Sequence, residues 1–129
     1  MPVNVFDHFE KNVITLFDAE PAGGSGLVLP SETWRWWCEP QNIGIWVLCG
    51  GANVNLKIDL EGSIDDIAAN YAILEGASPI LTVSDNLPHV LNMLAISMPR
   101  LRLMVTDNPG NGADTVLTVK IFQPFRLQP

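Results

Sequence analysis

The residue types that most often carry catalysis or hold metal ions are sparse in this chain. His8 and His89 are its two histidines, and neither has a cysteine, a histidine or an acidic cluster at the spacing that a metal site requires. The glycine-rich run at 23–27 differs from a nucleophile elbow, because it has Leu27 where that motif has glycine. No lysine follows a glycine-rich run, so a phosphate-binding loop is not indicated. The sequence therefore predicts a protein that is not an enzyme, with no catalytic residue, cofactor or metal site.

The turn at 107–114 matches part of a calcium-binding loop. Asp107, Asn111 and Gly112 occupy the first, fifth and sixth positions of that motif. Pro109 supplies no oxygen ligand at the third position, however, and Thr118 stands where the bidentate glutamate should be. A plain hairpin is therefore the preferred interpretation.

A second acidic group, Glu61, Asp65 and Asp66, lies in another predicted turn. Paired carboxylates can hydrolyse glycosides, but they need a cleft and a raised pKa on one member. Neighbouring carboxylates in a turn offer neither, so we interpret the group as a solvated turn with a helix cap at Ser63.

The tryptophans are the most unusual feature of the sequence. The chain has four, at positions 34, 36, 37 and 46, and the pattern predicts that they share one pair of strands. Because side chains alternate along a strand, Trp34 and Trp36 would lie on one face, with Arg35 and Trp37 on the other. Three explanations stay open: coverage of both faces within the fold, an oligomer or partner interface, or a platform on which sugar rings stack.

Short apolar runs separated by turn residues are the elements that would position these side chains. The clearest strand is 53–61, where Val54, Leu56, Ile58 and Leu60 alternate with polar residues. Segments 100–106 and 114–123 look like the two strands of a hairpin. Other strands are predicted at 11–18, 33–38, 43–49 and 78–84, with weaker candidates at 25–29 and 71–75, and short helical turns at 63–70 and 87–96. We expect an all-β, single-domain antiparallel β-sandwich with jelly-roll-like strand order and one or two short helical turns in loops.

Charge and composition restrict the partners that this chain can have. Its 129 residues carry a formal net charge of −7 and only 16% charged residues, against about 25% in typical soluble domains. Few charges on a folded surface favour a protein partner. The negative balance argues against nucleic acid, since nothing would release counterions from phosphates, and against an acidic membrane surface. The sequence shows neither a signal peptide nor a long apolar stretch, so secretion and membrane spanning are not predicted.

The chain ends and the cysteines complete the organisation. We expect one domain over 1–129, with an N-terminal arm at 1–10 and a C-terminal tail at 124–129, each held against a partner or the domain itself. Cys38 and Cys49 are the two cysteines. A hairpin could bring them together in a disulfide, and buried reduced thiols are the alternative in a chain made in the cytoplasm.

Segments 54–65, 99–106 and 113–119 resemble small β-sandwich structural proteins of tailed bacteriophages. The likeness lies in a strand ending in Glu-Gly-Ser-Ile-Asp, a following Pro-Arg-Leu-Arg-Leu-Met-Val-Thr strand and a last strand rich in Thr and Val. The size of the chain and its lack of a long fibre-like or coiled segment are most similar to head decoration, or cement, proteins. The resemblance implies a virion structural protein, made in the host bacterial cytoplasm, that binds the major capsid protein on the capsid exterior as a homotrimer.

The surface expected to dock combines the tryptophan-rich region with both chain ends. Its candidate residues are Val3, Val5, Phe6, Trp34, Arg35, Trp37, Trp46 and Phe125. The alternative function is a carbohydrate-binding module of a phage tail or baseplate, in which an exposed tryptophan stacks on a sugar.

Overall fold

The computed structural model of the chain describes residues 13–34, 41–75 and 78–122. Within these ranges the chain forms nine strands and one short 3₁₀ turn at Ala68–Asn70. The strands are β1 (Val13–Pro21), β2 (Val28–Pro30), β3 (Gln41–Gly50), β4 (Leu56–Ser63), β5 (Ala72–Ile73), β6 (Leu81–Val83), β7 (His89–Ile96), β8 (Arg100–Asp107) and β9 (Val116–Phe122). The prediction of an all-β fold is confirmed.

The strands form two antiparallel sheets. The four-stranded sheet has the order β1-β9-β3-β7, and the five-stranded sheet has the order β2-β8-β4-β5, with β6 also paired to β4. The pairs are nested along the chain: β1 with β9, β2 with β8, β3 with β7, and β4 with β5 and β6. Such nesting is that of a hairpin rolled into two sheets, which is the jelly-roll order expected from the sequence.

The inward sides of the two sheets form the hydrophobic core. Because side chains alternate along each strand, every second residue points to this core, and those positions are aliphatic. Ile45 and Val47 on β3, Leu60 on β4 and Leu103 on β8 are at most 1% exposed. Burying such a side chain contributes roughly 1.5–3 kcal/mol relative to leaving it exposed. The core therefore holds the two sheets together. The outer faces are not part of this core, so they can differ in polarity.

The helical turn predicted at 87–96 is wrong, because His89–Ile96 is strand β7. Leu91 and Met93 pack against the core, whereas Val90 and Leu94 on the opposite side are exposed. With apolar residues on both sides, the strand lacks the contrast between apolar and polar positions that identified the other strands.

The hairpin expected between 100–106 and 114–123 does not form. β8 belongs to the five-stranded sheet and β9 to the four-stranded sheet. The residues between them therefore carry the chain from one sheet to the other. The turn signal was correct, but a local signal does not specify which strand a chain pairs with after it turns.

Asn111 fixes this crossing segment. Its side chain is 9% exposed and is bonded on both sides of the amide. Its Oδ1 accepts from the backbone N–H of Asn55 and the hydroxyl of Thr115, both at 3.1 Å, and its Nδ2 donates to the carbonyls of Ala22 at 3.0 Å and Gly24 at 3.1 Å. Asn111 thus ties together three loops, and its side-chain oxygen and nitrogen are both engaged in structural hydrogen bonds.

The helix expected at 63–70 is limited to the 3₁₀ turn, and Ser63 does not cap it. The carboxylate of Asp65 organises the segment instead. It accepts hydrogen bonds from the hydroxyl of Ser63 at 3.1 Å, the backbone N–H of Ile67 at 3.0 Å and the side chain of Asn70 at 2.9 Å. The expected acidic turn is therefore present, but as an aspartate-centred turn.

Candidate functional site

The outward side of the four-stranded sheet carries many apolar side chains, with polar ones such as Asn92, Thr118 and Lys120 between them. Cross-strand registers place Val13 beside Phe122, Trp46 beside Val90, and Phe122 beside Gly44. Val90 and Leu94 on β7 are 68% and 74% exposed. We call this surface the outer apolar face; its members are Val13, Trp46, Leu48, Val90, Leu94, Val116 and Phe122.

A groove crosses one end of the outer apolar face above Gly44. This glycine leaves a gap between its neighbours, because an added Cβ would lie 3.5 Å from Asn92 Oδ1 and 3.6 Å from the Phe122 carbonyl oxygen. The cavity measures about 420 Å³ and is walled by Val13, Trp46, Val90 and Phe122, among others. An adjoining cavity of about 430 Å³ shares Gly44, Asn92 and Phe122. We call the two together the Gly44 groove, a surface shaped to receive a protruding apolar group.

Lys120 is the one charged residue among those that line the groove. Its Nζ lies 5.9 Å from the centroid of the Trp46 ring, a cation–π contact worth about 0.5–1 kcal/mol at an exposed site. None of the ion pairs between described residues includes Lys120. The groove thus joins an aromatic wall to an ammonium group that has no carboxylate partner in the described part of the chain.

The outward side of the five-stranded sheet is different. On neighbouring strands, Arg102 Nε donates to Glu61 Oε1 at 2.6 Å, and the Arg102 guanidinium lies 4.4 Å from the centroid of the Tyr71 ring. The Ser78 hydroxyl donates to Asp59 Oδ1 at 2.6 Å. Asp59 and Glu61 are only 8% and 7% exposed. We call this region the polar face; its buried charges are paired or hydrogen-bonded within the fold.

Two titratable groups beside the polar face have shifted pKa values with local causes. The Asp65 pKa is lowered, chiefly because the backbone N–H of Ile67 donates to its carboxylate and then because Asn70 does. The Tyr71 pKa is raised, first by burial and then by its hydrogen bond to Asp66. The hydrogen bonds of Asp65 and Tyr71 hold together the segment that follows β4.

His89 and Asp85 form a small surface pair. His89 Nε2 lies 2.7 Å from Asp85 Oδ1, and this hydrogen bond is the main cause of a lowered Asp85 pKa. No nucleophile is hydrogen-bonded to His89 among the described residues. In the same part of the chain, no group of three or more histidine, cysteine or acidic residues is placed to hold a metal ion.

Cys49 is a free thiol in the core and is 1% exposed. Burial, together with the nearby charge of Asp85, raises the pKa of this thiol to about 11. The thiolate, which is the reactive form, is therefore scarce at neutral pH. Cys38 lies outside the described residues, so the structure supports the reduced-thiol alternative at Cys49 alone.

The two predicted interface residues that the structure describes, Trp34 and Trp46, lie in different places. Trp46 lies on the outer apolar face and lines the Gly44 groove. Trp34 is 5% exposed and pairs with Leu101 of the other sheet, so it belongs to the core and does not share a strand pair with Trp46. Its indole Nε1 has no hydrogen-bond partner among the described residues. The remaining candidates, Val3, Val5, Phe6, Arg35, Trp37 and Phe125, lie outside the described residues.

Six of the seven members of the outer apolar face, all except Trp46, were not expected from the sequence. Leu48 and Val116 fell in predicted strands whose outer sides were not assigned to an interface. Val90 and Leu94 were missed because their segment was assigned to a helical turn. Val13 and Phe122 fell in predicted strands, but their outward orientation depends on registers between β1, β9 and β3. The available signal was the pair of apolar residues Val90 and Leu94 on the side of the strand that also carries Asn92.

No protein-family model matches the chain, and no curated protein or solved structure matches it either. Within the described ranges, no helix is long and apolar enough to cross a membrane. A function must therefore be inferred from the two outer faces and from the strand patterns of the sequence.

Proposed function

We propose that the chain is a non-enzymatic structural protein of a bacteriophage virion. In this role it binds the major capsid protein on the outer face of the capsid, as a homotrimer, and stabilises contacts between capsid subunits. The observation that carries the proposal is the outer apolar face, because covering exposed apolar surface is favourable and large patches of it mark interaction sites. The resemblance of 54–65, 99–106 and 113–119 to phage structural proteins supports this choice of partner.

The energetics of the outer apolar face suit a protein that acts by adhesion. Covering it releases roughly 25 cal/mol for each Å² of apolar area, so Val90 and Leu94, both largely exposed, contribute modestly on their own. Several linked copies bind more tightly than one copy alone, since each bound copy raises the effective concentration of the next. An oligomer with one such face per copy can therefore hold a shell together without any single strong contact.

Charge and fold agree with a place on the outside of a capsid. The net charge of −7 would be repelled by packaged DNA, which makes the exterior favourable. Jelly rolls occur in viral capsid and lectin domains, although this likeness concerns the fold alone. The paired charges of the polar face are suited to the side that remains in water.

The test compares one substitution on opposite sheets. Val90→Asp places a charge on the outer apolar face, and Val28→Asp places it on β2 of the other sheet, where valine is 66% exposed against 68% for Val90. Both variants should fold, as circular dichroism would show. We expect Val90→Asp to lose co-sedimentation with shells assembled from a phage major capsid protein, and Val28→Asp to retain it.

Stabilisation is measured on the same shells. Decorated shells should survive heating and osmotic shock better than bare ones, and shells mixed with Val90→Asp should behave as bare ones. Equal survival of bare and decorated shells would refute the stabilising role, and equal binding of the two variants would refute the assigned docking face.

A carbohydrate-binding module is the second candidate, favoured by the position of Trp46. Its half-buried ring lines a groove with Asn92 and Lys120, and a flat ring beside polar groups suits a sugar face. Saturable binding on a glycan array that disappears in Trp46→Ala and persists in Trp46→Phe would favour this function over capsid decoration.

A further inference from the structure

β7 is an edge strand of the four-stranded sheet. Among the described strands it pairs on one side only, with β3, so every second residue directs its backbone N–H and C=O away from the sheet. Leu91 and Met93 pack against the core but are only half-buried, whereas Ile45 and Val47 on β3 are at most 1% exposed. This incomplete burial is typical of a strand whose far side has no neighbour.

The other edges of the two described sheets carry features that prevent pairing with a further strand. β1 has two register shifts, the charged residues Asp18 and Glu20, and Pro21 at its end. β2 has three residues and ends in Pro30, and β5 and β6 have two and three residues. Irregular register, charge, proline and short length all protect a sheet edge. β7 has eight residues without lysine, arginine, aspartate, glutamate or proline, and its one register shift lies after Met93. It is therefore the edge to which a further strand can add.

The side chains of β7 are complementary to those of a second copy of the same strand. Val90, Asn92 and Leu94 are exposed on its outward side, in an order that is symmetrical about Asn92. An antiparallel pair centred there places Val90 opposite Leu94 of the second copy and the two Asn92 side chains opposite each other, with Leu91 opposite Met93 on the core side. Apolar side chains then meet apolar ones, and the two amides can hydrogen-bond to each other.

Other registers of this strand pair are less favourable. A shift of two residues in either direction would place Asn92 opposite Val90 or Leu94, and the amide would lose its polar partner. A shift of one residue would turn outward side chains toward the core. The pattern of β7 therefore specifies one register with a twofold axis at Asn92.

Charge does not oppose this contact. The net charge of −7 makes two copies repel each other at a distance, but such repulsion is largely screened beyond about 8 Å at physiological salt. Along β7 itself, no lysine, arginine, aspartate or glutamate would face its own copy. Asp85, which lies just before the strand, is already bonded to His89. A second copy therefore matches this edge in both polarity and charge.

We propose that two copies of this chain pair through β7, antiparallel and centred on Asn92, so that their four-stranded sheets join into one continuous sheet. The backbone groups at this edge then gain hydrogen bonds, and the two outer apolar faces lie side by side. The contact is twofold, so it is separate from the threefold contact of the proposed homotrimer, and it does not rest on capsid binding. A chain that makes both contacts forms a hexamer.

Sedimentation-velocity ultracentrifugation of the full-length chain at physiological salt tests whether copies pair. Strand pairing covers a small area, so we expect a reversible dimer with a Kd on the order of 10 μM. A hexamer would support both this contact and the proposed homotrimer. A monomer at all concentrations up to about 1 mM, or a trimer alone, would overturn the pairing through β7.

Opposite charges at position 92 test the register. In Asn92→Asp and in Asn92→Lys, like charges face each other across the twofold axis, so each variant should dimerise about tenfold more weakly than the unaltered chain. Both should fold, because Asn92 is exposed. An equal mixture of the two variants should regain the Kd of the unaltered chain, since a carboxylate then faces an ammonium group.

Val28→Asp is the matched control, because it adds a charge at an exposed position on β2 of the other sheet. It should leave the Kd of the dimer unchanged. Weak dimerisation in the mixture of the two Asn92 variants would contradict the assigned register. Equal weakening by Val28→Asp would show that the effect comes from net charge and would overturn the assignment to β7.

Discussion

The two outer faces of this sandwich differ in whether their side chains have partners within the fold. On the five-stranded sheet, Glu61 and Arg102 are paired at 2.6 Å, and Tyr71 lies over the guanidinium. On the four-stranded sheet, several outward positions are apolar, and two of them, Val90 and Leu94, are largely exposed. The polar face has its partners within the fold, whereas the outer apolar face gains free energy only when another surface covers it.

This comparison shows that the two faces serve different purposes. Substitutions on the polar face should change folding stability, because its groups bond to one another. Substitutions on the outer apolar face should change association and leave folding almost unaltered. Four predictions test that separation, beginning with the largest effect.

Breaking the Glu61–Arg102 pair should have the largest effect on stability. Arg102→Met would leave the Glu61 carboxylate, which is 7% exposed, without its partner. Loss of one member of a buried ion pair costs about 3–5 kcal/mol, which urea denaturation would measure. Arg100→Met is the control, because the Arg100–Asp66 pair is longer, at 3.9 Å, and more exposed, so its loss should cost less than about 1 kcal/mol. Equal losses in both variants would contradict the role assigned to the polar face.

High pH should lower the folding stability of the protein through the ionisation of Cys49, which lies in the core between the two sheets. Its pKa in the fold is about 11, above the ordinary value of 9.0. The fold therefore favours the neutral thiol, and the unfolded chain releases the proton first. Stability from this group is complete below pH 9 and is lost as pH rises from 9 through 11. Denaturation at pH 8 and 10.5 should show a smaller decrease for Cys49→Ala than for the unaltered chain, and an equal decrease would contradict the prediction.

Low pH should loosen the segment beside the polar face through Asp65. Its pKa is lowered from 3.8, so the ionised carboxylate is favoured by the fold, and its contribution is lost as pH falls through that lowered value. The backbone amide of Ile67 donates to this carboxylate. Exchange of that amide should be faster in Asp65→Asn than in the unaltered chain at pH 6, and the two should converge as pH falls well below 3.8. A constant difference across this range would indicate another cause.

The sequence predicted where the strands lie far better than it predicted which strands pair with one another. Alternation located β4 and β8 because each has one apolar and one largely polar side, and it located β9 although Val116 and Phe122 lie on its outward side. It failed at β7, where Val90 and Leu94 make the outer side apolar as well. It also placed Trp34 and Trp46 on one strand pair, although the structure puts them on different sheets.

These failures share a physical origin. Alternation specifies that a strand has two sides, but which side meets the core depends on partners distant in sequence. The candidate site was predicted only at Trp46, because the groove is created by Gly44 and by registers that join β1, β9, β3 and β7. A glycine within a strand was the one local sign of a gap in that surface.

The smallest effect on folding should come from the outer apolar face itself. Val90→Thr preserves side-chain shape and strand preference at an exposed position, so unfolding free energy should change by less than about 0.5 kcal/mol. Val47→Thr makes the same change at a position that is 0% exposed on the neighbouring strand, where an added hydroxyl without a partner costs about 1–3 kcal/mol. Binding of a hydrophobic dye at saturation should nevertheless fall in Val90→Thr, since the outer apolar face loses part of its affinity for apolar groups. A loss of stability at Val90 equal to that at Val47 would mean that this face is covered tightly by the fold, and the distinction between the two outer faces would then fail.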